Sequence, residues 1–440
     1  MRDHCARSDH AEWHVEKKRD LLPYILEAQA GRMPKLLPLK YERMAVSPFG
    51  LYRGSVWLMA RDLGRVRSSG IEAQICGDAH IRNLGCFAAP DGSLLFDLND
   101  FDETTRAPFE WDLKRLATSL VLAGREAQLD DEKIGSAVTA MAGSYRTRMH
   151  EMSELNFLEL ARYKGRHVPS QAVHDMLRKA ERATPQHSLA SLTVSTPRKQ
   201  PHFKRQPPVL TPVSGRTRGM LGTALREYRG TLGAPQQVLL DRYTPVDYAF
   251  KVVGTGSVGL RDYVVLMLGH ASQARTSRYP LFLQIKQAVP SAYSVLKRGA
   301  HSAWHHDGHR VVEGTRLMQA ATDPLLGWTS MESRNYLVRQ LNDHKASLEP
   351  TDLAIPDALA DYARVCGAVL ARAHSRTADP AVLDGYCGTS GDKAGKDDKF
   401  DRAIAKFAFR YAEQVAADYA QFRKLLRTHR IRNSGKRVGV

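Results

Sequence analysis

Apolar residues recur at helical spacing in some stretches of the chain and alternate or cluster as strands in others. Leu21, Leu22, Ile25 and Leu26 predict a helix over residues 12–30, and a second short helix comes next over 55–63. The run 71–76 reads as a strand, and two more cover 84–88 and 94–98, with Pro90-Asp91-Gly92 as the hairpin turn between them. Leu113, Leu116, Leu120 and Leu122 fall on or near one face of a helix over 113–123, and helical patterning continues from 130 to 163. A second ordered block opens near Val246, with strands over 248–253, 263–268 and 281–288. A helix over 311–321, a strand over 336–341 and a long helix over 357–376 come next. After a Gly/Asp/Lys-rich loop at 385–396, a last helix runs over 401–426. No internal repeat is evident.

Between the two blocks, residues 185–212 carry six prolines and several basic residues, which reads as a linker or mobile insertion. The expected division is therefore 1–184, a Pro-rich basic junction over 185–245, a β-rich unit over 246–345 and a helical remainder over 346–440. At 440 residues, with 43% hydrophobic and 25% charged positions, wholesale disorder is excluded and a full core can form without staples. No stretch of about 18 apolar residues predicts a membrane span. The polar N-terminus is not a signal peptide. Five scattered cysteines with no C-x-x-C pair predict neither a disulfide framework nor a zinc ribbon, so the expected compartment is the cytoplasm. Sixty-four Lys and Arg against 47 Asp and Glu leave a net charge of +17, which favours anionic partners. A nucleotide is the expected one, and nucleic acid is not favoured.

Chemistry concentrates in Cys76-Gly77-Asp78-Ala79-His80-Ile81-Arg82-Asn83 and in Asn99-Asp100-Phe101-Asp102-Glu103. A strand ahead of the first segment can hold its loop rigid. Asp78 can then orient or deprotonate an attacking hydroxyl, and Asn83 can offer its carbonyl to Mg²⁺. A second acid beyond the hairpin completes an oxygen-rich site. Asp100 is the first choice for that acid, with Asp102 and Asp97 behind it. His80 is expected to brace the loop. The competing reading, a structural cluster of caps, explains less well why so many acids interleave with strand-grade runs.

The first segment resembles the H-G-D-x-H-x-x-N catalytic loop of the protein-kinase-like and aminoglycoside-phosphotransferase superfamily, with Cys76 in place of the first His. Asp100-Phe101-Asp102 resembles its metal-binding D-F-G or D-F-D, and Trp111-Asp112 resembles the helix start that buttresses the catalytic loop. From Met44 to the C-terminal helices the chain is also similar to a bacterial family catalogued as domain of unknown function 2252, which supplies no activity.

Gly254-Thr255-Gly256-Ser257-Val258-Gly259 matches G-x-G-x-x-G, a weak signal alone. The next residues, Arg261 to Met267, have strand character, so the setting is strand, turn, strand rather than the strand, turn, helix of a dinucleotide fold. That is the kinase-like arrangement, in which backbone N–H groups of Gly254, Thr255, Gly256, Ser257 and Gly259 would cover nucleotide phosphates. The resemblance further implies that Lys286, on an apolar strand, pairs with the phosphates and that Glu313 on the next helix is its partner. An edge-strand lysine is the plainer alternative.

The order is reversed relative to ordinary kinases, because Asp78 precedes the glycine turn. The expectation is an α+β, two-lobed, protein-kinase-like fold in circularly permuted order, with Asp78 and Lys286 facing one cleft. The expected function is ATP- and Mg²⁺-dependent phosphoryl transfer to the hydroxyl of a small-molecule or protein acceptor. A nucleotidyl transferase with the same site, or a non-catalytic nucleotide- or nucleic-acid-binding protein, is the alternative. Arg53 and Arg339 can reach phosphates, although structural ion pairs are the commoner use. The His301–His309 tract and the basic tail at 423–437 read as solvated.

Overall fold

The computed structural model describes residues 5–164, 170–196, 199–269, 280–296, 304–341, 346–348, 357–388 and 398–431. It is a mixed α+β protein with small antiparallel sheets. Among the described residues, no helix is long and apolar enough to cross a membrane.

The largest sheet has six strands in the spatial order Gly327–Met331, Arg334–Gln340, Pro280–Ala288, Asp262–Gly269, Tyr243–Lys251 and Leu210–Pro212, every neighbouring pair antiparallel. Period-two alternation gives each face its own core. Val265, Met267, Leu283, Ile285 and Val338 pack with Leu221 and Tyr228 of the helix Gly215–Arg229. Val264, Leu266, Leu268 and Phe282 pack on the other side with Phe203 and Leu210.

The remaining body is mostly helical. Ala358–Ser375 packs along Asp131–Ser153, and both meet Glu110–Glu126 and the 29-residue helix Lys399–Arg427 in one large core. Two small antiparallel sheets are set into it: Glu72–Ile75 with Thr105–Pro108, and a three-stranded one in the order Ala346–Ser347, Leu84–Ala88, Leu94–Leu98. The N-terminal helices Leu22–Ala28, Leu37–Met44, Pro48–Gly54 and Val56–Leu63 fold back on the far end of the last helix, where Ile25, Tyr41 and Leu58 bury Phe422 and Leu425.

Several boundaries differ from the sequence expectation, for identifiable reasons. The first long helix is confined to Leu22–Ala28, since Pro23 can occupy only a helix's first turn. The proline-rich junction is ordered over most of its length. Pro185 opens the helix Pro185–Leu192, Thr193–Thr196 pairs with Lys199–Phe203, and Leu210–Pro212 forms the edge of the main sheet, where a proline removes no ladder bond that matters. Helices Gln171–Arg182 and Ala234–Leu240 and strands Thr105–Pro108 and Gly327–Met331 were not legible in the pattern. Residues 301–303, 389–397 and 432–440, which include parts of the His tract, the Gly/Asp/Lys loop and the basic tail, lie outside the described residues.

Candidate functional site

The strand Glu72–Ile75 ends in a turn held by its neighbours on both sides. Asp112, in the first turn of Glu110–Glu126, accepts from the backbone N–H of Cys76 at 2.8 Å and of Gly77 at 2.9 Å. Tyr293 donates its hydroxyl to the Gly77 carbonyl at 2.8 Å. Gly77 is in the left-handed region (φ 80°), and a Cβ there would stand 2.4 Å from the Glu103 carbonyl oxygen. Only glycine lets the Asp78 turn and the 100–103 loop approach so closely.

Asp78 is the next residue. Arg115, one turn beyond Asp112 and fully buried, sets Nε 2.7 Å and Nη2 2.6 Å from Asp78 Oδ1, and its guanidinium lies 4.1 Å above the Tyr52 ring. Burial pushes the Asp78 carboxyl above its usual range, and Arg115 pulls against it. His80 Nε2 stands 3.9 Å from Asp78 Oδ2, while His80 Nδ1 accepts from the Arg82 N–H at 3.2 Å. Burial first, then Arg53, Arg115 and Arg82, holds His80 well below the ordinary imidazole value and so neutral. Its contacts are those of a brace. Asn83 donates Nδ2 to the Asp78 carbonyl at 2.9 Å, which ties the two ends of the segment together.

Across the cleft, Lys286 is nearly buried on Pro280–Ala288, with Nζ 2.6 Å from Asp102 Oδ2 and 3.5 Å from Asp100 Oδ2. The two carboxylates share one cation and separate in character. Burial and the Asp100 charge push Asp102 up; burial also acts on Asp100, but Lys286 and Arg339 outweigh it and hold Asp100 below its usual value. Asp97 belongs elsewhere. It accepts from the backbone N–H of Leu98 and Ala320, each at 2.8 Å, and pairs with buried Arg372, which is a structural use.

The glycine turn joins Tyr243–Lys251 to Asp262–Gly269, and N-terminal basic side chains hold its carbonyls. Arg32 donates to Gly256 O at 2.9 Å and Val258 O at 2.7 Å. Buried Lys40 reaches Gly54, Thr255 and Gly256 carbonyls at 3.1, 3.3 and 3.1 Å, and Arg43 bonds the Gly254 carbonyl. Ser257 donates Oγ to Asp102 Oδ2 at 3.3 Å, so turn and acids touch although 155 positions apart.

One cleft of about 460 Å³ is lined by Asp78, Asn83, Asp100 and Asp102 together with Gly254 to Ser257. That is within the size range of small-molecule sites. Gly259 and Lys286 lie behind this wall. Gly259, at φ 96°, packs on Arg32, and Lys286 contributes through the two acids.

Glu313 is not brought to Lys286. On Asp307–Met318 it pairs with Arg316 at 2.8 Å and faces His309 at 3.7 Å. Lys286 is already neutralised by two nearer carboxylates, and Glu313 finds partners one turn away on its own helix. The same helix reaches the acid loop through Arg310, which donates to Thr104 O at 2.7 Å, Asp102 O at 2.9 Å and Val289 O at 2.8 Å. Arg339 donates to Gln284 Oε1 at 2.9 Å and Asn99 O at 3.2 Å, a structural role.

Sequence reasoning missed Arg115, Arg32, Lys40 and Glu103. The helical offset of Arg115 from Asp112 and the place of Glu103 at the end of the 99–103 acidic run are the available signals among them. Glu103 lines the cleft, accepts from the Ala292 N–H at 2.6 Å and is pushed up to about 7 by burial.

Among the described residues, no group of three or more His, Cys, Asp or Glu side chains is arranged as a metal centre. Asp100, Asp102 and Asn83 nevertheless give the cleft hard oxygen donors from two loops, which fits a magnesium ion that takes its other ligands from phosphate and water.

A family model described as "Uncharacterized protein conserved in bacteria (DUF2252)" matches residues 32–425, and the chain belongs to that family. No curated protein and no solved structure matches.

Proposed function

We propose that this protein is an ATP- and Mg²⁺-dependent phosphotransferase of the protein-kinase-like type, in permuted order, that transfers the γ-phosphoryl group to a hydroxyl acceptor. One observation carries the reading: Asp78, the Asp100–Asp102 pair and the glycine turn line a single cleft, with Lys286 bonded to the acids from the sheet side. Lys286 is on the second strand after the glycine turn, the third when the strand leading into the turn is counted, and is followed by a helix, which is where kinases keep their phosphate-binding lysine. The permuted order has its own support. The end of Ala358–Ser375 abuts the strand before Asp78, with Gln74 N–H donating to Thr377 Oγ1 at 2.9 Å and His374 Nε2 3.4 Å from Asp112 Oδ2. In an ordinary order that helix would run straight on into that strand.

On this reading Asp78 accepts a hydrogen bond from the acceptor hydroxyl, Arg115 fixes its orientation, and the turn's backbone covers the phosphates. Lys286 would shift part of its ion pairing from the acids to the phosphates. Asp100, Asp102 and Asn83 would hold Mg²⁺, which, when bound, offsets the charge on the phosphate oxygens. The protein's part is positioning and charge stabilisation.

The test has two steps. ATP with Mg²⁺ should raise the melting temperature of the full chain, because a ligand that binds only the native state stabilises it. ATP turnover over a panel of hydroxyl compounds should then vanish in Asp78→Asn while the ATP-dependent thermal shift persists. Unchanged turnover in Asp78→Asn would sink the reading, and product mass separates phosphate addition from AMP addition.

A further inference from the structure

Beside the main cleft is a second cavity of about 260 Å³, and the two share Arg53 and Thr255 as a common wall. Among the described residues its charged lining is Arg43, Arg53 and Arg82 together with Glu126. Phe49, Ile81 and Leu348 give it an apolar floor. Arg82 belongs to the short turn Ile81–Asn83, in the same loop as Asp78. Arg53 lies 5.9 Å over the Phe49 ring, which steadies its guanidinium between the two spaces. Burial first, and then Arg53, Arg115 and Arg82, keeps His80 neutral beside this cavity.

We propose that this cavity is the acceptor's subsite and that the acceptor is a small hydroxylated anion bearing a carboxylate or phosphate group, held by the arginines with its hydroxyl toward Asp78. The inference rests on the phosphotransferase reading above. Guanidinium forks match both anions in bidentate geometry. The volume, roughly nine waters at ~30 Å³ each, suits a hydroxy acid or a sugar phosphate. In the reaction the acceptor oxygen bonds to the γ-phosphorus, its proton passes to Asp78, and the bond from that phosphorus to the bridging oxygen breaks to release ADP.

The test is calorimetric titration of inorganic phosphate, of malonate and, separately, of ATP with Mg²⁺ into the full-length protein and into Arg82→Gln and Glu126→Gln. Arg43 and Arg53 are left intact because they touch the glycine turn and the main cleft. The expected result is anion binding about tenfold weaker in Arg82→Gln, as for loss of one charge-assisted pair, and about threefold tighter in Glu126→Gln, with ATP binding unchanged. Whichever of phosphate and malonate binds more tightly names the acceptor's charged group. Anion affinities that ignore both substitutions would overturn the subsite while leaving ATP binding to stand for the main cleft. If anions respond to Arg82 but ATP never binds, the phosphotransferase reading falls and the anion site survives it.

Discussion

Arg115 grips Asp78 with two nitrogens on one oxygen, Nε at 2.7 Å and Nη2 at 2.6 Å from Oδ1. The helix that supplies this guanidinium also supplies Asp112, which anchors the backbone just ahead of Asp78. One rigid element therefore sets both the position and the charge of the acid. Asp78 Oδ2 stands 3.9 Å from a neutral imidazole, and on the proposed reading it is the oxygen that meets the substrate hydroxyl.

Arg115→Met should accordingly leave the half-buried Asp78 without its counter-charge. Breaking one side of a buried pair costs about 3–5 kcal/mol, and urea unfolding should show a loss of that order. Burial already pushes the Asp78 carboxyl up, and without Arg115 it rises further. The acid limb of any activity profile should then move to higher pH. A stable variant with an unmoved acid limb would show that Arg115 does not act through Asp78.

How much of this was legible in the sequence depended on the range of the interaction. Asp78, Asn83 and the Asp100–Asp102 pair carry local signals, a strand end and a hairpin, and the structure gathers them. The glycine turn was legible because strand-type residues, not a helical pattern, come after Gly259. Glu313 failed because the choice among acids for Lys286 is made by three-dimensional distance, and Asp102 at 2.6 Å wins it. Arg32 and Lys40 were invisible for the same reason: the glycine-turn carbonyls they hold are more than two hundred positions away. The helix and strands within 185–212 were not legible because proline marks sheet edges and helix starts as readily as linkers.

Gly77→Ala should disable the site without touching any ionisable group. The substitution forces a side chain onto φ 80° and drives its Cβ to 2.4 Å from a backbone oxygen that cannot swing aside. Left-handed strain and overpacking each cost about 1–3 kcal/mol, so thermal unfolding should show several degrees of loss. If the turn yields instead, the 100–103 loop must retreat, and ATP-dependent stabilisation should fall more than it does in Arg82→Gln. Wild-type stability together with wild-type ATP binding would refute the close approach.

Asp262 provides a pH signature independent of catalysis. It sits opposite Lys286 in the strand register, accepts from Gln284 at 2.7 Å and has a second oxygen, Oδ1, with no hydrogen-bond partner. Burial raises its carboxyl from 3.8 to about 7. Between those values the native protein holds a proton that the unfolded chain has lost. Stability is therefore greatest below the unfolded value and falls as pH rises toward the folded one. Glu103, pushed from 4.5 to about 7, adds a slope of the same sign. Asp262→Asn mimics the protonated form. It should match wild type near pH 4 and exceed it by about 2–4 kcal/mol at pH 8 in urea titrations. Parallel curves for the two proteins across that range would show that Asp262 ionises normally.

Lys286 supplies the positive charge beside Asp100 and Asp102. On the proposed reading Mg²⁺ would bind the same carboxylates, and the lysine and the metal would compete for them. Lys286→Met removes the resident charge and leaves two half-buried acids without their shared cation, which should cost about 1–3 kcal/mol in metal-free buffer once solvent screening is allowed for. The deficit has a specific remedy: Mg²⁺ alone, without nucleotide, should restore melting temperature in Lys286→Met while barely moving wild type. Adding Asp102→Asn to that variant should abolish the rescue and at the same time relieve part of the destabilisation, since only one charge then remains. Equal magnesium responses in wild type and Lys286→Met would mean that the metal, if it binds, does so away from this pair.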